Sequence, residues 1–163
     1  MKKNLIKVCM VAFLGFMASC GTQSVSDKVY NQGINLTPAP VSLEQQAGKF
    51  ALTSNATFKA STPEAKTVAE FFANKLKTST GFNLAVSETE GNIALNIDPA
   101  LEMHAEGYKL AVTPAGIEIT AKTGAGAFYG MQTVLQPLPA EIESKSVVKT
   151  DWTLPCVTVE DAP

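Results

Sequence analysis

Gly124, Gly126 and Gly130 have the most suggestive spacing in the chain. They stand in Thr123-Gly-Ala-Gly-Ala-Phe-Tyr-Gly-Met, behind a run of alternating apolar residues, where a strand turning into a helix could cradle a phosphate. The pattern G-x-G-x-x-x-G is one residue longer than the dinucleotide fingerprint. No Gly-Lys-Ser/Thr is present for a P-loop, so nucleotide chemistry is set aside. Metal chemistry fails on ligand number: His104 is the sole histidine, and one imidazole with one thiol cannot assemble a zinc or non-haem iron site. The same lone histidine, placed in a loop beside Met103 and Ala105, has no nucleophile motif to serve as base. Neither a metal nor any other cofactor is expected.

Paired carboxylates are the next candidates. Glu88 with Glu90, Glu102 with Glu106, and Glu141 with Glu143 are the closest pairs, but each lies in a polar stretch that keeps it solvated. A catalytic acid needs surroundings that raise its pKa, so these read as surface. Cys156, inside the apolar run Leu154 to Val159, reads as a small buried hydrophobe. The tyrosines and tryptophan outside the clear core pattern, Tyr30, Tyr129 and Trp152, could form a platform for sugar rings, although packing is the simpler use. No catalytic, metal or substrate-binding residue is assigned.

One residue does carry a predicted modification. Lys2, Lys3 and Lys7 precede the apolar run Val8 to Met17, which is too short to span a bilayer comfortably, and Met17-Ala18-Ser19-Cys20 closes it. Small residues before a cysteine resemble the bacterial lipobox, so 1–19 is read as a lipoprotein signal peptide and Cys20 as the lipid attachment site. This predicts an exported chain anchored to a bacterial membrane, periplasmic or at the cell surface, with 20–33 as a flexible tether. Removal of the signal leaves ten lysines, no arginine and fifteen acidic residues, about five units negative, which argues against nucleic acid as a partner. With Cys9 removed and Cys20 acylated, Cys156 has no disulfide partner, and stability must come from packing.

The elements that would position these residues are legible in the hydrophobic periodicity. Hydrophobic residues at 45% and charged residues at 17% allow a core, and the length suits one domain. Ile34 to Leu52 reads as an extended edge segment and a short strand joined by a turn near Gln46 to Gly48, and Ala56 to Ala60 as a weaker strand. Thr62 as cap, Pro63 at the first position, Glu64 in the first turn and Gly81 at the end define a helix over 63–80, with Ala65, Val68, Ala69, Phe72 and Leu76 on one face. Phe82, Leu84 and Val86 alternate, then Ile93, Leu95 and Ile97, then Tyr108, Leu110 and Val112, which turn at Thr113-Pro-Ala-Gly into Ile117 and Ile119. A second helix over about 125–136 carries Ala127, Phe128, Met131, Val134 and Leu135 on one face. Gly126 and Gly130, one turn apart, imply close backbone packing there. A polar spacer from Ala140 to Thr150 leads to an extended segment, Trp152 to Val159, interrupted at Pro155. The predicted fold is α+β: one mainly antiparallel sheet covered on one face by two helices.

Taken together, these stretches resemble a known family. Pro38-Ala39-Pro40-Val41, Gly48-Lys49-Phe50, Gly107-Tyr108-Lys109-Leu110 and above all Gly126-Ala-Phe-Tyr-Gly-Met-Gln-Thr-Val-Leu-Gln136 resemble the N-terminal domain of family 20 glycoside hydrolases. Trp152 to Val159 with Glu160-Asp161-Ala162-Pro163 resembles the segment leading from that domain into a catalytic barrel, while Pro137 departs from the family's apolar residue and should shorten the helix. The resemblance implies a domain over 34–150 and a linker strand over 151–163. It also implies a β-N-acetylhexosaminidase parent that hydrolyses terminal N-acetylhexosamine residues by substrate-assisted catalysis. That chemistry belongs to an adjacent Asp-Glu pair and an arginine in a TIM barrel of at least roughly 200 further residues. The 163 residues contain no Asp-Glu dipeptide and no arginine, so the chain alone is expected to be inactive and to pack against a barrel. The alternative is a free-standing glycan-binding surface lipoprotein, and a barrel supplied by a separate chain is a further arrangement.

Overall fold

The computed structural model describes residues 33–163. The signal peptide at 1–19, Cys20, nearly all of the 20–33 tether and Tyr30 lie outside the described residues.

Seven strands form one sheet in the order β1-β7-β5-β6-β4-β2-β3. They are β1 (Ser42–Ala51), β2 (Thr57–Ala60), β3 (Ala85–Ser87), β4 (Ile93–Ile97), β5 (Tyr108–Thr113), β6 (Gly116–Ala121) and β7 (Thr153–Asp161). The half containing β1, β7, β5 and β6 is antiparallel, with seven, five and six registered residue pairs. The other half, β6-β4-β2-β3, is parallel, with five, three and three. By paired residues the sheet is mainly antiparallel, and the α+β class holds. The parallel half follows from connectivity: β2 and β3 are joined by an 18-residue helix, and only a crossover of that length brings the chain back in the same direction.

Register divides the sheet into two unlike faces. Leu43, Val159, Leu110, Ile119, Leu95 and Ala60 lie opposite one another across six strands. Two residues along, Val157, Val112, Ile117, Ile93, Phe58 and Val86 form a second such row on the same face. The row between them, on the other face, is Glu44, Thr158, Ala111, Glu118, Ala94, Lys59 and Ser87. Two helices, α1 (Pro63–Thr80) and α2 (Gly124–Leu135), cover the apolar face. Each fully buried leucine, isoleucine or phenylalanine there contributes on the order of 1.5–3 kcal/mol.

Local chemistry fixes the helix ends. Thr62 Oγ1 accepts from the Ala65 amide at 3.2 Å, Pro63 occupies the first turn, and Gly81 closes α1 at φ 75° with its amide donating to Lys77 O. Thr123 Oγ1 accepts from the Ala125 amide at 3.1 Å and donates to Ala105 O at 2.6 Å, which ties the start of α2 to the loop before β5. Glu64 of α1 reaches across and accepts from the Gly124 amide at 2.9 Å, so one carboxylate serves the N-terminal ends of both helices. The last helical residue is Leu135, consistent with Pro137 ending the run.

Three details differ from the sequence reading. The turn expected near Gln46 to Gly48 is a bulge within one ten-residue strand, where the β1–β7 register shifts between Gln45 and Lys49. Gly48 sits there at φ 105°, a conformation that glycine accepts without strain. The run at Phe82 to Val86 supplies only a three-residue strand, and Phe82 and Leu84 pack into the core from the preceding loop. Pro155 does not interrupt the last strand: β7 is continuous, and Pro155 pairs with Lys49 beside the bulge, before β5 pairing begins at Val157. The segment 151–163 thus supplies an inner strand of the sheet. Within the polar spacer, a short 3-10 helix at Ala140–Glu143 buries Ile142, and the Val148 amide donates to Ser79 O.

Candidate functional site

A cleft of about 550 Å³ lies beside the C-terminal half of α2. Six separate segments wall it: the Leu36–Pro40 stretch, the start of β5, α2, Leu138, the 3-10 helix, and the end of β7 with Pro163. The Pro-rich stretch is held by Gln136, whose Oε1 accepts from the Thr37 amide at 2.8 Å and whose Nε2 donates to Thr37 O at 3.2 Å. At its other end the Val41 amide donates to Asp161 Oδ1 at 3.2 Å.

Tyr108 and Thr133 line the inner wall. Tyr108 is 2% exposed, and its hydroxyl shares a hydrogen bond with Thr133 Oγ1 at 2.5 Å. Burial pushes the phenol above its ordinary pKa of 10.0, the Thr133 bond works against that, and the negative charge of Asp161 adds to the rise. The two hydroxyls satisfy one another in a place where an unpaired polar group is costly. Glu143, at the mouth, is bound to Lys75 Nζ at 3.2 Å.

The cleft is lined by hydroxyls, side-chain amides, two carboxylates and apolar side chains. No histidine, cysteine, lysine or arginine is among the lining residues. Asp161 and Glu143 are already engaged with an amide and an ammonium, and the Glu143 side chain is largely solvated. The other carboxylates weighed as pairs are scattered: Glu88, Glu90, Glu102 and Glu141 are exposed and Glu106 is half-buried. His104 is exposed in the loop before β5, its Nδ1 accepting from the Glu106 amide at 3.4 Å. Among the described residues no three His, Cys, Asp or Glu side chains cluster as metal ligands would.

The aromatics separate cleanly. Trp152 is 4% exposed and belongs to the core, so it offers no sugar platform. Tyr129, 37% exposed, forms part of the cleft wall, and Phe71 on α1 is 51% exposed. Cys156 is buried opposite the β1 bulge: a Cβ on Gly48 would stand 3.4 Å from its Sγ and 3.1 Å from Pro114 Cγ. Sequence reasoning missed the cleft and the exposure of Phe71. The stripe on α1 was the only available signal, and Phe71 lies just off it.

Gly126 and Gly130, which first suggested a phosphate cradle, face the hairpin. A Cβ on Gly126 would collide with Gly107 O, and one on Gly130 would stand 2.8 Å from Ile119 Cγ2. Their lack of side chains serves helix-to-sheet contact. With that packing in place, the sequence model of glycosyl hydrolase family 20, domain 2, matches residues 33–162. The chain belongs to glycosyl hydrolase family 20. A β-hexosaminidase of Porphyromonas gingivalis is 37% identical over 168 residues, covering all of this chain and 22% of that protein. Among solved structures, the N-acetyl-β-hexosaminidase of Streptomyces plicatus in complex with Thio-NAglucal has a TM-score of 0.74 at 32% identity. That match spans 78% of this family 20 chain and 26% of the Streptomyces chain. The β-N-acetylhexosaminidase of Streptomyces coelicolor has a TM-score of 0.72 at 34% identity, over 77% and 26% of the two chains. The chain therefore spans between a fifth and about a quarter of these relatives, and what it matches is the small accessory domain of hexosaminidases of family 20.

Proposed function

We propose that this chain serves as the non-catalytic domain of a β-N-acetylhexosaminidase. In this reading, hydrolysis of terminal non-reducing N-acetylhexosamine residues takes place in a TIM barrel against which the chain packs. The supporting observation is the match to domain 2 of the family over 33–162, set against relatives named as hexosaminidases in which that segment is a minor part. Purified chain incubated with an aryl N-acetylglucosaminide is expected to give no turnover above blank. Turnover abolished by substitutions within these 163 residues would refute the reading.

The same proposal includes export and anchoring by acylation of Cys20, on the strength of the basic, apolar and small-residue order of 1–20. Expressed in a bacterium fed labelled palmitate, the chain should fractionate with membranes and carry label. Cys20→Ser should remove both, and label that survives this change would rule out attachment at Cys20.

A further inference from the structure

The two edges of the sheet differ in what reaches them and in charge. β1 is the outermost strand on its side, and Gly33 lies against it: a Cβ built on Gly33 would stand 3.8 Å from Gln45 Oε1. Ile34, the next residue, is buried in the core and holds the chain at that edge. β3 forms the opposite edge, six interstrand spacings away. At about 4.8 Å per spacing the two edges stand about 29 Å apart. Of the ten residues of β1 only Glu44 and Lys49 are charged, and they cancel, while Ser42, Gln45, Gln46 and Ala47 are exposed and neutral. Beyond β3 the chain turns through Ser87-Glu88-Thr89-Glu90, where both carboxylates are exposed and neither has an ion-pair partner among the described residues. An anionic lipid surface would repel the second edge and not the first.

We infer that the β1 edge is the side of the domain that faces the lipid bilayer, with the β3 edge turned away. This rests on acylation of Cys20 and adds which surface meets the headgroups. Gly33 lies thirteen positions after Cys20. At no more than about 3.6 Å per residue that link spans at most about 47 Å, whatever its conformation. An acylated Cys20 therefore keeps Gly33, and β1 beside it, within that reach of the membrane. The β3 edge comes equally near only if the domain turns over, and turning over brings Glu88 and Glu90 against the headgroups. Covalent reach and charge thus favour the same orientation, in which the sheet stands edge-on to the bilayer.

The test places a donor fluorophore at each edge of the full 163-residue chain, produced in a bacterium that acylates lipoproteins. Ala47→Cys in β1 and Thr89→Cys beyond β3 are made singly, both at exposed positions, and the buried Cys156 takes no label. Each labelled chain is reconstituted into vesicles of phosphatidylcholine and phosphatidylglycerol in equal parts, with an acceptor on the lipid headgroups. Energy transfer from position 47 should exceed that from position 89 by about twofold or more, given edges about 29 Å apart. Glu88→Lys with Glu90→Lys should narrow the difference, and a difference left whole would refute the part given to charge. Equal transfer from the two positions, or more from position 89, would overturn the orientation while leaving acylation standing. Cys20→Ser should abolish transfer from both. Transfer that survives that change would remove the acylation reading and the inference with it.

Discussion

Adding one methyl group to α2 should cost very different amounts at its three glycines, because each faces a different kind of neighbour. At Gly126 the new Cβ would collide with the carbonyl oxygen of Gly107 and stand 3.0 Å from Ala121 Cβ. Both belong to the hairpin strands or the residue leading into them, and a backbone oxygen cannot swing aside, so helix and hairpin must separate. Overpacking of this kind costs about 1–3 kcal/mol, and a clash with backbone belongs at the upper end. Replacing glycine by alanine within a helix recovers about 1 kcal/mol. The net expectation for Gly126→Ala is a loss of roughly 2 kcal/mol, or about 6 °C in melting temperature for a chain of this size. At Gly130 the neighbours are side chains, Ile119 Cγ2 at 2.8 Å and Tyr108 Cδ2 at 3.2 Å. The Ile119 methyl is branched from Cβ of a buried residue and cannot swing aside, but no backbone atom is struck, and the net cost should be about 1 kcal/mol. At Gly124 the nearest atoms are those of the exposed Glu64 side chain, at 3.3 Å, and alanine there should be neutral or slightly stabilising. Urea titrations of the three variants with a common slope give the comparison. A Gly126→Ala midpoint at or above that of the unsubstituted chain would refute the claim that this glycine exists for close packing.

Thr133→Val leaves the Tyr108 hydroxyl buried without a partner and should cost about 1–3 kcal/mol by urea titration, whereas the double change with Tyr108→Phe should recover most of it. Tyr108 also sets an alkaline limit. Its folded pKa is raised above 10.0 by burial and by Asp161, so above that pH the unfolded chain has released a proton that the folded chain still holds. The stability this contributes is complete below pH 10.0 and is lost, at up to about 1.4 kcal/mol per pH unit, as pH rises towards the folded pKa. Tyr108→Phe should therefore flatten the fall in the urea midpoint between about pH 9 and about pH 11; an unchanged fall would assign it elsewhere. Glu64→Ala removes the acceptor for the Gly124 amide and a negative charge near two helix starts, for an expected loss of about 1 kcal/mol. Glu64→Gln should lose less, and the difference between the two should shrink in high salt.

What the chain reveals by sequence alone follows the range of the forces involved. The bounds of α1 are legible to the residue because Thr62, Pro63 and Gly81 act on amides and carbonyls within four positions of themselves. The β5–β6 hairpin is legible for the same reason, since Thr113 and Gly116 bond to one another across a two-residue turn. The strand order is not. It depends on β7 entering between β1 and β5, a pairing of Val159 with Leu43 on one side and Leu110 on the other that no local pattern encodes. The bulge at Gly48 depends on the same remote strand, because it accommodates Cys156 and Pro114. Pro155 shows the same dependence: next to a bulge, with no β5 partner yet beside it, a missing amide hydrogen is tolerated within a continuous strand.

The candidate site shows the limit most sharply. Its walls come from segments as far apart as Leu36 and Pro163, so no window of sequence contains it. Tyr129 and Trp152 looked alike as aromatic residues near polar ones, but one strand register buries Trp152 beside Leu52, whose amide bonds to its carbonyl. Helix phase leaves Tyr129 exposed, with its ring 6.2 Å from that of Phe128. A family motif of eleven residues from Gly126 to Gln136 identified the fold because close packing of Gly126 and Gly130 constrains every residue around them. The same motif carries Tyr129, Gln132 and Gln136, which line the cleft. Gln136 makes two bonds to Thr37. Tyr129 packs on Phe128 at 6.2 Å between ring centroids and Gln132 is half-buried, so helix phase places both, and no apolar pattern in the sequence marks them.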